Sequence, residues 1–140
     1  MLRPEADDAG AEGAEPSPLQ GQPTGLPLAM AKRQLLPTEP LLFRYSAITD
    51  NPHRIHYDLP YAQDVEKYPA LLVNGSLPSM FLLEMLRTAV GREPDHLTCR
   101  NLAPMFCGTE LTLSVAEQDG GWAMLVEDAF GRPCLEASAW

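Results

Sequence analysis

The sequence has little of what marks several large functional classes. Its 140 residues contain only 10 Lys and Arg against 19 Asp and Glu, which gives a formal net charge of −9. Phosphate backbones are bound through clustered basic side chains, so this balance disfavours a nucleic-acid partner. No apolar run is long enough to cross a bilayer, and no apolar signal core stands at the N-terminus. We therefore expect a cytoplasmic protein with neither a nucleic-acid nor a membrane partner.

Cysteine is also scarce. The three cysteines, Cys99, Cys107 and Cys134, are odd in number and form no Cys-x-x-Cys pair. That pattern predicts free thiols in a reducing compartment, each with the character of a small buried apolar residue. His53 and His56 stand three residues apart with no clear third ligand, so no metal site is expected. A glycine-rich phosphate loop is missing as well, so we expect no bound nucleotide cofactor.

The beginning of the chain has the composition of a disordered tail. Residues 1–29 are rich in Ala, Gly, Pro, Glu and Asp, contain no aromatic side chain and show no apolar periodicity. Pro37 and Pro40 predict an extended segment around them, because proline disfavours the helical conformation for the residue before it. We assign residues 1–34 to the tail and residues 35–140 to a single domain. A domain of this size buries only a modest core, which favours association with a second subunit.

The remaining sequence predicts one long helix among several strands. Ser76 begins a strongly apolar stretch, and Gly91 is a glycine of the kind that follows helix ends. Polar residues form one narrow stripe on this helix, so it should be buried on nearly all sides. Apolar and alternating patterns predict strands at 41–45, 96–103, 111–115, 122–129 and 134–140, an extended run at 71–73, and a short helix at 58–66 that Asp58 caps. This order is typical of an α+β fold in which a curved sheet wraps the helix.

Residues suited to catalysis lie in two stretches of one segment. The candidates are Asp50, Asn51, His53, Arg54 and His56 in a polar loop, and Asn74, Gly75 and Ser76 at the start of the long helix. A histidine exchanges protons near neutral pH, and a backbone N–H at a helix start binds negative charge. Acid/base groups beside such an N–H indicate chemistry on a carbonyl compound.

The same segment resembles a known family. The stretches HRIHYDLPYA, EKYPALLVNGSL and RNLAPMFCGTELTL resemble MaoC-like dehydratases and R-specific enoyl-CoA hydratases. Most similar is the subgroup of 3-hydroxyacyl-thioester dehydratases and mesaconyl-CoA hydratases, which typically shows FRYSALTFNxHRIHYD and then EGYPGLVVHGPL. The resemblance covers about residues 41–139. It implies the hotdog fold, an antiparallel sheet wrapped around one long central helix.

The resemblance also implies roles for three residues. His56 occupies the position of the family's catalytic histidine, and Gly75 matches the glycine whose N–H meets the thioester carbonyl. Asn51 lies five residues before His56, where simpler hydratases have a catalytic aspartate and the mesaconyl-type subgroup has asparagine. His56 would then transfer a proton between water and substrate, Asn51 would orient the water, and Gly75 would stabilise the enolate oxygen.

Four other residues have broader expectations. Asp50 is a further catalytic candidate or bonds to Arg54, which itself either pairs with a carboxylate or touches a CoA phosphate. Asn74 and Ser76 flank the glycine and are candidate substrate-binding groups. The family usually has an aromatic residue in place of Asp50 and a histidine in place of Asn74. A preceding hotdog half, common in the subgroup, is absent from this sequence, which favours pairing with a second subunit.

Three functions fit this resemblance. The first is an acyl-thioester hydratase or dehydratase, a hydro-lyase that adds water reversibly to a 2-enoyl-CoA or carrier-protein thioester. It would need no prosthetic cofactor and would work as a homodimer or as a hetero-oligomer with another hotdog subunit. The second is a catalytically weak partner subunit or acyl-binding module, and the third is a hotdog thioesterase, which would release a free thiol. We expect the first.

Overall fold

The computed structural model describes Leu26 and residues 29–140, in which a five-stranded antiparallel sheet packs against a long helix. The strands are β1 (Ala31–Leu35), β2 (Leu97–Asn101), β3 (Leu111–Gln118), β4 (Gly121–Glu127) and β5 (Pro133–Ala139), and the helices are α1 (Glu39–Ile48) and α2 (Ser76–Val90). Two single helical turns, Arg54–His56 and Tyr61–Val65, lie between the helices. The strand order is β1-β3-β4-β5-β2, and each neighbouring pair is antiparallel. The predicted α+β class is confirmed.

The hydrophobic core lies between α2 and one face of the sheet. Leu82 and Leu86 recur at helical spacing on α2 and are at most 1% exposed. Leu111, Leu113 and Val115 alternate along β3 and are fully buried. Each such side chain contributes about 2 kcal/mol when it leaves water, so this interface holds the helix on the sheet.

Helix α2 ends where the sequence predicts, but its burial differs from the prediction. Gly91 takes a left-handed conformation with φ 77°, and its N–H donates to the carbonyl of Arg87 at 2.8 Å. Met80 is 47% exposed, however, and Ala89 is exposed as well. The expectation that α2 is buried on nearly all sides is wrong for this single chain, because the sheet covers only one side of the helix.

The ordered domain begins earlier than predicted. Residues 31–34, which we assigned to the tail, belong to β1, whose register runs from Ala31 opposite Val115 to Leu35 opposite Leu111. The prediction missed this strand because its central side chains are polar and exposed, so its stability comes mainly from backbone pairing with β3. The predicted disorder of the tail falls on residues that lie, apart from Leu26 and residues 29–34, outside the described part of the chain.

The stretch predicted as the first strand is instead helix α1. Leu42, Tyr45 and Ser46 are its buried residues, at the three- and four-residue spacing of one helix face. The side chain of Thr38 accepts from the N–H of Leu41 at 3.4 Å, and a proline occupies the first turn. The strand prediction was wrong because a five-residue apolar run has no decisive period, whereas a capping threonine followed by proline indicates a helix start.

The other predicted elements are present with shifted ends. Strands β2 to β5 correspond to the last four predicted strands, and Leu72 forms a bridge with Phe106 in the predicted extended run. Asp58 accepts from the N–H of Tyr61 at 3.1 Å, as an N-cap does, although the helical turn that follows is shorter than predicted. Cys99, Cys107 and Cys134 are free thiols, as predicted, and Cys134 is buried. The expected burial is wrong for Cys99, because it lies on the exposed edge strand β2.

Candidate active site

A cavity of about 440 Å³ lies where three separate stretches of the chain meet. These stretches are the loop around residues 51–56, the segment before α2 and the segment that follows β2. The polar lining residues are Asn51, His56, Asn74, Gly75 and Asn101, and the apolar lining residues are Leu72, Val73, Leu102, Ala103, Pro104 and Met105. Apolar walls with a few convergent polar groups are typical of sites for small organic substrates.

Residues 71–73 connect the walls of this cavity. The N–H of Leu72 donates to the carbonyl of Ile55 at 3.0 Å, on the side of the polar loop. The N–H of Val73 donates to the carbonyl of Met105 at 2.8 Å, on the side of the segment after β2. These backbone bonds place the loop, the helix start and the segment after β2 around one space.

His56 is held in one tautomer at this cavity. The residue is 6% exposed, and its Nδ1 lies 2.7 Å from the carbonyl oxygen of Leu72. A carbonyl oxygen can only accept, so Nδ1 carries the proton and donates it. The lone pair of the neutral ring is therefore on Nε2, which has no hydrogen-bond partner among the described residues. Nε2 is thus available as a proton acceptor for a molecule in the cavity.

His53 and Asn51 belong to the turn that precedes His56. The ring of His53 is exposed, meets the ring of His56 edge-on at 5.7 Å between centroids, and does not line the cavity. The side-chain oxygen of Asn51 accepts from the backbone N–H of His53 at 3.1 Å. Because that oxygen is engaged, the amide NH₂ of Asn51 is the part left to donate into the cavity.

Asp50 is not brought together with His56. Its φ is 51°, and its side chain lines a separate cavity of about 330 Å³. Ser46 lines the same space, and its buried hydroxyl has no hydrogen-bond partner within the described part of the chain. Asn51 borders both cavities. The structure therefore does not support the expectation that Asp50 takes part in catalysis.

Arg54 is engaged in an ion pair beside the site. Its Nε and Nη2 donate to Oδ2 of Asp58 at 3.0 and 2.8 Å, and its guanidinium lies 4.1 Å from the centre of the Tyr61 ring. The hydrogen bonds from Arg54, followed by the Tyr61 N–H, hold the pKa of Asp58 below its usual range. Arg54 does not line the cavity, so of its two predicted roles the structure favours carboxylate pairing.

The side chains around the start of α2 bond mainly to one another. Oδ1 of Asn74 accepts from the backbone N–H of Ser76 at 3.1 Å and from its hydroxyl at 2.7 Å. The buried Tyr45 hydroxyl on α1 donates to Oγ of Ser76 at 2.8 Å. Asn74 and Ser76 thus stabilise the helix start. The sequence analysis missed Tyr45, because its partner is 31 residues away.

Gly75 is needed for space rather than for its backbone conformation. Its φ of −59° is accessible to any residue, and its N–H has no hydrogen-bond partner among the described residues. A Cβ at this position would lie 2.7 Å from the amide nitrogen of Asn101 and closer still to the amide oxygen. Asn101 therefore packs directly over Gly75. The sequence analysis missed Asn101, since only the tertiary fold places the end of β2 beside α2.

Two other properties of the described residues are relevant to the chemistry. Burial raises the pKa of the Cys107 and Cys134 thiols, which keeps them protonated. No group of three or more His, Cys, Asp or Glu in this part of the chain could hold a metal ion. Over the same residues, no helix combines the length and the hydropathy that a bilayer crossing requires.

Sequence comparison finds a family model and curated relatives. The model for hydroxyacyl-thioester dehydratase type 2 matches residues 11–107. The mesaconyl-C(4)-CoA hydratase of Chloroflexus aurantiacus is 47% identical over 74 residues, which cover 53% of this chain and 26% of the relative. Two further relatives are matched over 30% and 31% of their lengths. The chain therefore spans about a quarter to a third of the curated relatives that it matches.

Comparison with solved structures supports the fold. The unliganded R-hydratase PhaJ1 of Pseudomonas aeruginosa aligns with a TM-score of 0.69 and 20% identity, over 81% of this chain and 79% of that one. A chain of the ChsH1–ChsH2 complex of Mycobacterium tuberculosis aligns with a TM-score of 0.67 and 15% identity, over 83% of this chain and 95% of that one. These likenesses confirm the predicted hotdog fold.

Proposed function

This chain belongs to the hydroxyacyl-thioester dehydratase type 2 family, and we propose that it catalyses the reversible addition of water to a 2-enoyl thioester. The observation that carries this proposal is the His56 ring, whose Nδ1–H bond to Leu72 leaves Nε2 as a proton acceptor in the cavity. The substrate is an acyl group on CoA or on a carrier protein. The proposed reaction uses the protein's own side chains and no prosthetic group.

His56 is the proposed acid/base group. Its Nε2 takes a proton from water as the water oxygen bonds to the β-carbon of the enoyl group. The amide NH₂ of Asn51 donates to the oxygen of that water and fixes its position. The protonated His56 then returns the proton to the α-carbon, which gives a 3-hydroxyacyl thioester. Dehydration follows the same steps in reverse.

The start of α2 is the proposed binding site for the developing negative charge. When the β-carbon is attacked, the electrons of the double bond move towards the thioester oxygen, which becomes an enolate. The Gly75 N–H has no partner in the described structure and lies at the N-terminal end of a helix. It can donate to that oxygen with the helix dipole behind it, a contribution of about 3 kcal/mol for one such donor.

A spectrophotometric hydration assay tests the proposal. Crotonyl-CoA and mesaconyl-CoA are offered to the purified protein, and loss of the enoyl absorbance is followed. We expect turnover that falls by about 100-fold or more in His56→Ala, because a general base of this kind contributes that much. His53→Ala is the matched control, since this second histidine is exposed and does not line the cavity.

Three outcomes of this assay would overturn the proposal. Equal losses in the two histidine variants would show that His56 has no special role. Turnover that survives in a folded His56→Ala protein would assign the base elsewhere. Release of a free thiol, with the enoyl group intact, would indicate a thioesterase instead.

We further propose that the active form contains a second hotdog subunit, either another copy or a homologous chain. The side of α2 that the sheet leaves uncovered includes Met80, which is 47% exposed. Every residue of β2 is exposed, and β2 is the last strand of the sheet order. The segment after β2 lines the active-site cavity, so a subunit that pairs with β2 would lie beside the site.

Light scattering with and without the substitution Met80→Glu tests the assembly. A dimer that dissociates in the variant supports pairing through the uncovered side of α2 that contains Met80. The wild-type protein could instead stay monomeric at high concentration and be inactive alone. That result would favour the interpretation that this chain is a weak partner subunit, which needs an active homologue. A monomer with full hydratase activity would overturn the second-subunit proposal.

A further inference from the structure

A single N–H is an incomplete binding site for an enolate oxygen. Such sites commonly provide two hydrogen-bond donors directed at the position where the charge develops. On the α2 side of the cavity, Gly75 provides one backbone donor. The Ser76 hydroxyl donates to Asn74 and accepts from Tyr45, so it is engaged. The NH₂ of Asn74 has no partner among the described residues, but its side chain is held at the helix start through Oδ1, whereas the Asn101 amide lies directly over Gly75.

We propose that the side-chain amide of Asn101 is the second donor to the thioester oxygen. This inference rests on the proposed hydration reaction and extends it. Asn101 is the last residue of β2, lines the same cavity as His56, and packs over Gly75. Its amide has no hydrogen-bond partner within the described structure, so the NH₂ is available to a ligand.

The spacing of the two donors suits one oxygen atom. The Asn101 nitrogen is 2.7 Å from the position of a Cβ on Gly75. Across one residue the backbone N and the Cβ are about 2.5 Å apart, so the two donor nitrogens are at most about 5 Å apart. An oxygen that accepts two bonds of about 2.9 Å can bridge donors separated by up to about 6 Å. Rotation about the last side-chain torsion of Asn101 decides whether its NH₂ or its oxygen faces the cavity.

The end of β2 is a suitable support for such a donor. Asn101 pairs with Leu135 on β5, and the next residue, Leu102, donates its N–H to the carbonyl of Cys134 at 2.8 Å. The backbone of Asn101 is thus held by the sheet, while the backbone of Gly75 is held by the helix start. A donor on a rigid element needs little reorganisation when charge develops, which is the property that makes such bonds effective.

Substitution by isosteric aspartate distinguishes a donor from a residue that only fills space. Asn101→Asp keeps the shape but replaces the NH₂ with a carboxylate oxygen, so we expect kcat to fall by about 100-fold or more with little change in KM. Asn101→Ala should lose about 100-fold or somewhat less, because it removes the donor without adding a charge. Gln118→Glu is the matched control: it makes the same change from amide to carboxylate on an exposed residue of β3 that does not line the cavity, and it should change kcat by less than about threefold. Wild-type kcat in Asn101→Asp would overturn the proposal.

A second measurement separates this inference from the proposed hydration reaction. Butyryl-CoA labelled with ¹³C at the carbonyl has no double bond to hydrate, and hydrogen bonds to its carbonyl lower the stretching frequency in an infrared difference spectrum. We expect a shift on binding to the wild type that is about half as large in Asn101→Ala. That result supports the donor even if no enoyl-CoA tested is turned over. An unchanged shift in the variant, or no binding of butyryl-CoA to the wild type, overturns it.

Discussion

The two sides of the active-site cavity are built in opposite ways. On the loop side, the backbone supports the side chains: the Leu72 carbonyl orients His56, and the His53 N–H holds the oxygen of Asn51. On the helix side, the side chains support the backbone, because the contacts among Tyr45, Asn74 and Ser76 stabilise the turn that contains Gly75. The first arrangement presents groups that can exchange or direct protons, and the second presents an N–H that cannot lose its proton.

Because of this difference, substitutions on the two sides should affect the reaction in different ways. On the loop side, a change of side chain changes the chemistry while the backbone bonds remain. On the helix side, the side chains act indirectly, because they fix the position of one peptide group, that of Gly75. The following predictions test this contrast, from the largest expected effect to the smallest.

The largest effect is expected from Gly75→Ala. The added Cβ would lie 2.7 Å from the Asn101 amide nitrogen, so the amide or the peptide group must move. We expect kcat to fall by about 100-fold, with the free energy of unfolding almost unchanged because φ is −59°. Kinetics and chemical denaturation of the variant provide both values.

The matched control for Gly75→Ala is Gly91→Ala at the other end of the same helix. Gly91 has φ 77°, a conformation that costs an alanine about 1 kcal/mol. This variant should therefore lose stability and keep its kcat. If both variants lose activity equally, the effect of Gly75→Ala arises from damage to the helix and not from the site.

Asn51→Asp is expected to lower kcat by about tenfold. The carboxylate still accepts from the His53 N–H, so the turn is retained, but the donor to the attacking water is gone. Asn51→Ala should lower kcat similarly and also lose about 1 kcal/mol of stability with the turn bond. Steady-state kinetics and thermal unfolding separate the two. An Asn51→Asp variant more active than the wild type would show that this position can hold a catalytic carboxylate.

Tyr45→Phe should reduce kcat only a few-fold. It removes the bond to Ser76 but leaves the bonds between Ser76 and Asn74 in place. Loss of one partly buried hydrogen bond should lower the free energy of unfolding by about 1 kcal/mol. Kinetics combined with urea denaturation measure both quantities. A loss of stability with no change in kcat would mean that the helix start does not depend on α1 for its geometry.

The smallest effect on activity is expected from Arg54→Gln. Since Arg54 pairs with Asp58 outside the cavity, kcat and KM should each stay within about twofold. The pKa of Asp58 should rise towards its usual range, because the hydrogen bonds from Arg54 are the main cause that lowers it. The lowered pKa stabilises the fold above the usual aspartate range, and that contribution is lost as pH falls through the folded pKa; the variant should lack it. NMR titration of the Asp58 carboxyl measures the change, and a large increase in KM would instead indicate contact with the substrate.

Helices and strands could be predicted from the sequence where their apolar residues recur at a clear period or where a residue such as glycine marks their end. Helix α2 has an apolar face and a terminal glycine, and β3 alternates between apolar and polar residues, so both were predicted with small errors. Helix α1 was not, because its five-residue apolar run suits a strand as well as a helix. Strand β1 was missed for the opposite reason, since its polar side chains conceal a strand that backbone pairing stabilises.

For the site, residue types could be predicted but their partners could not. His56 and Gly75 stood out because acid/base chemistry and close approach each require a particular residue type. The Leu72 carbonyl meets His56, and Asn101 meets Gly75, through contacts that only the tertiary fold creates. Asp50 lies in a different cavity from His56, because adjacency in sequence to Asn51 does not place two side chains in the same cavity.

The backbone of residues 71–73 links the ring of His56, the proposed base, to the rest of the fold. Leu72 donates to the carbonyl of Ile55 and accepts from His56, while Val73 donates to the carbonyl of Met105. An opening that separates residues 71–73 from the loop exposes the Leu72 amide to deuterium exchange and also removes the carbonyl that fixes the imidazole tautomer. The exchange rate of the Leu72 amide therefore measures how often the resting protein loses the geometry of the proposed base, with no substrate present.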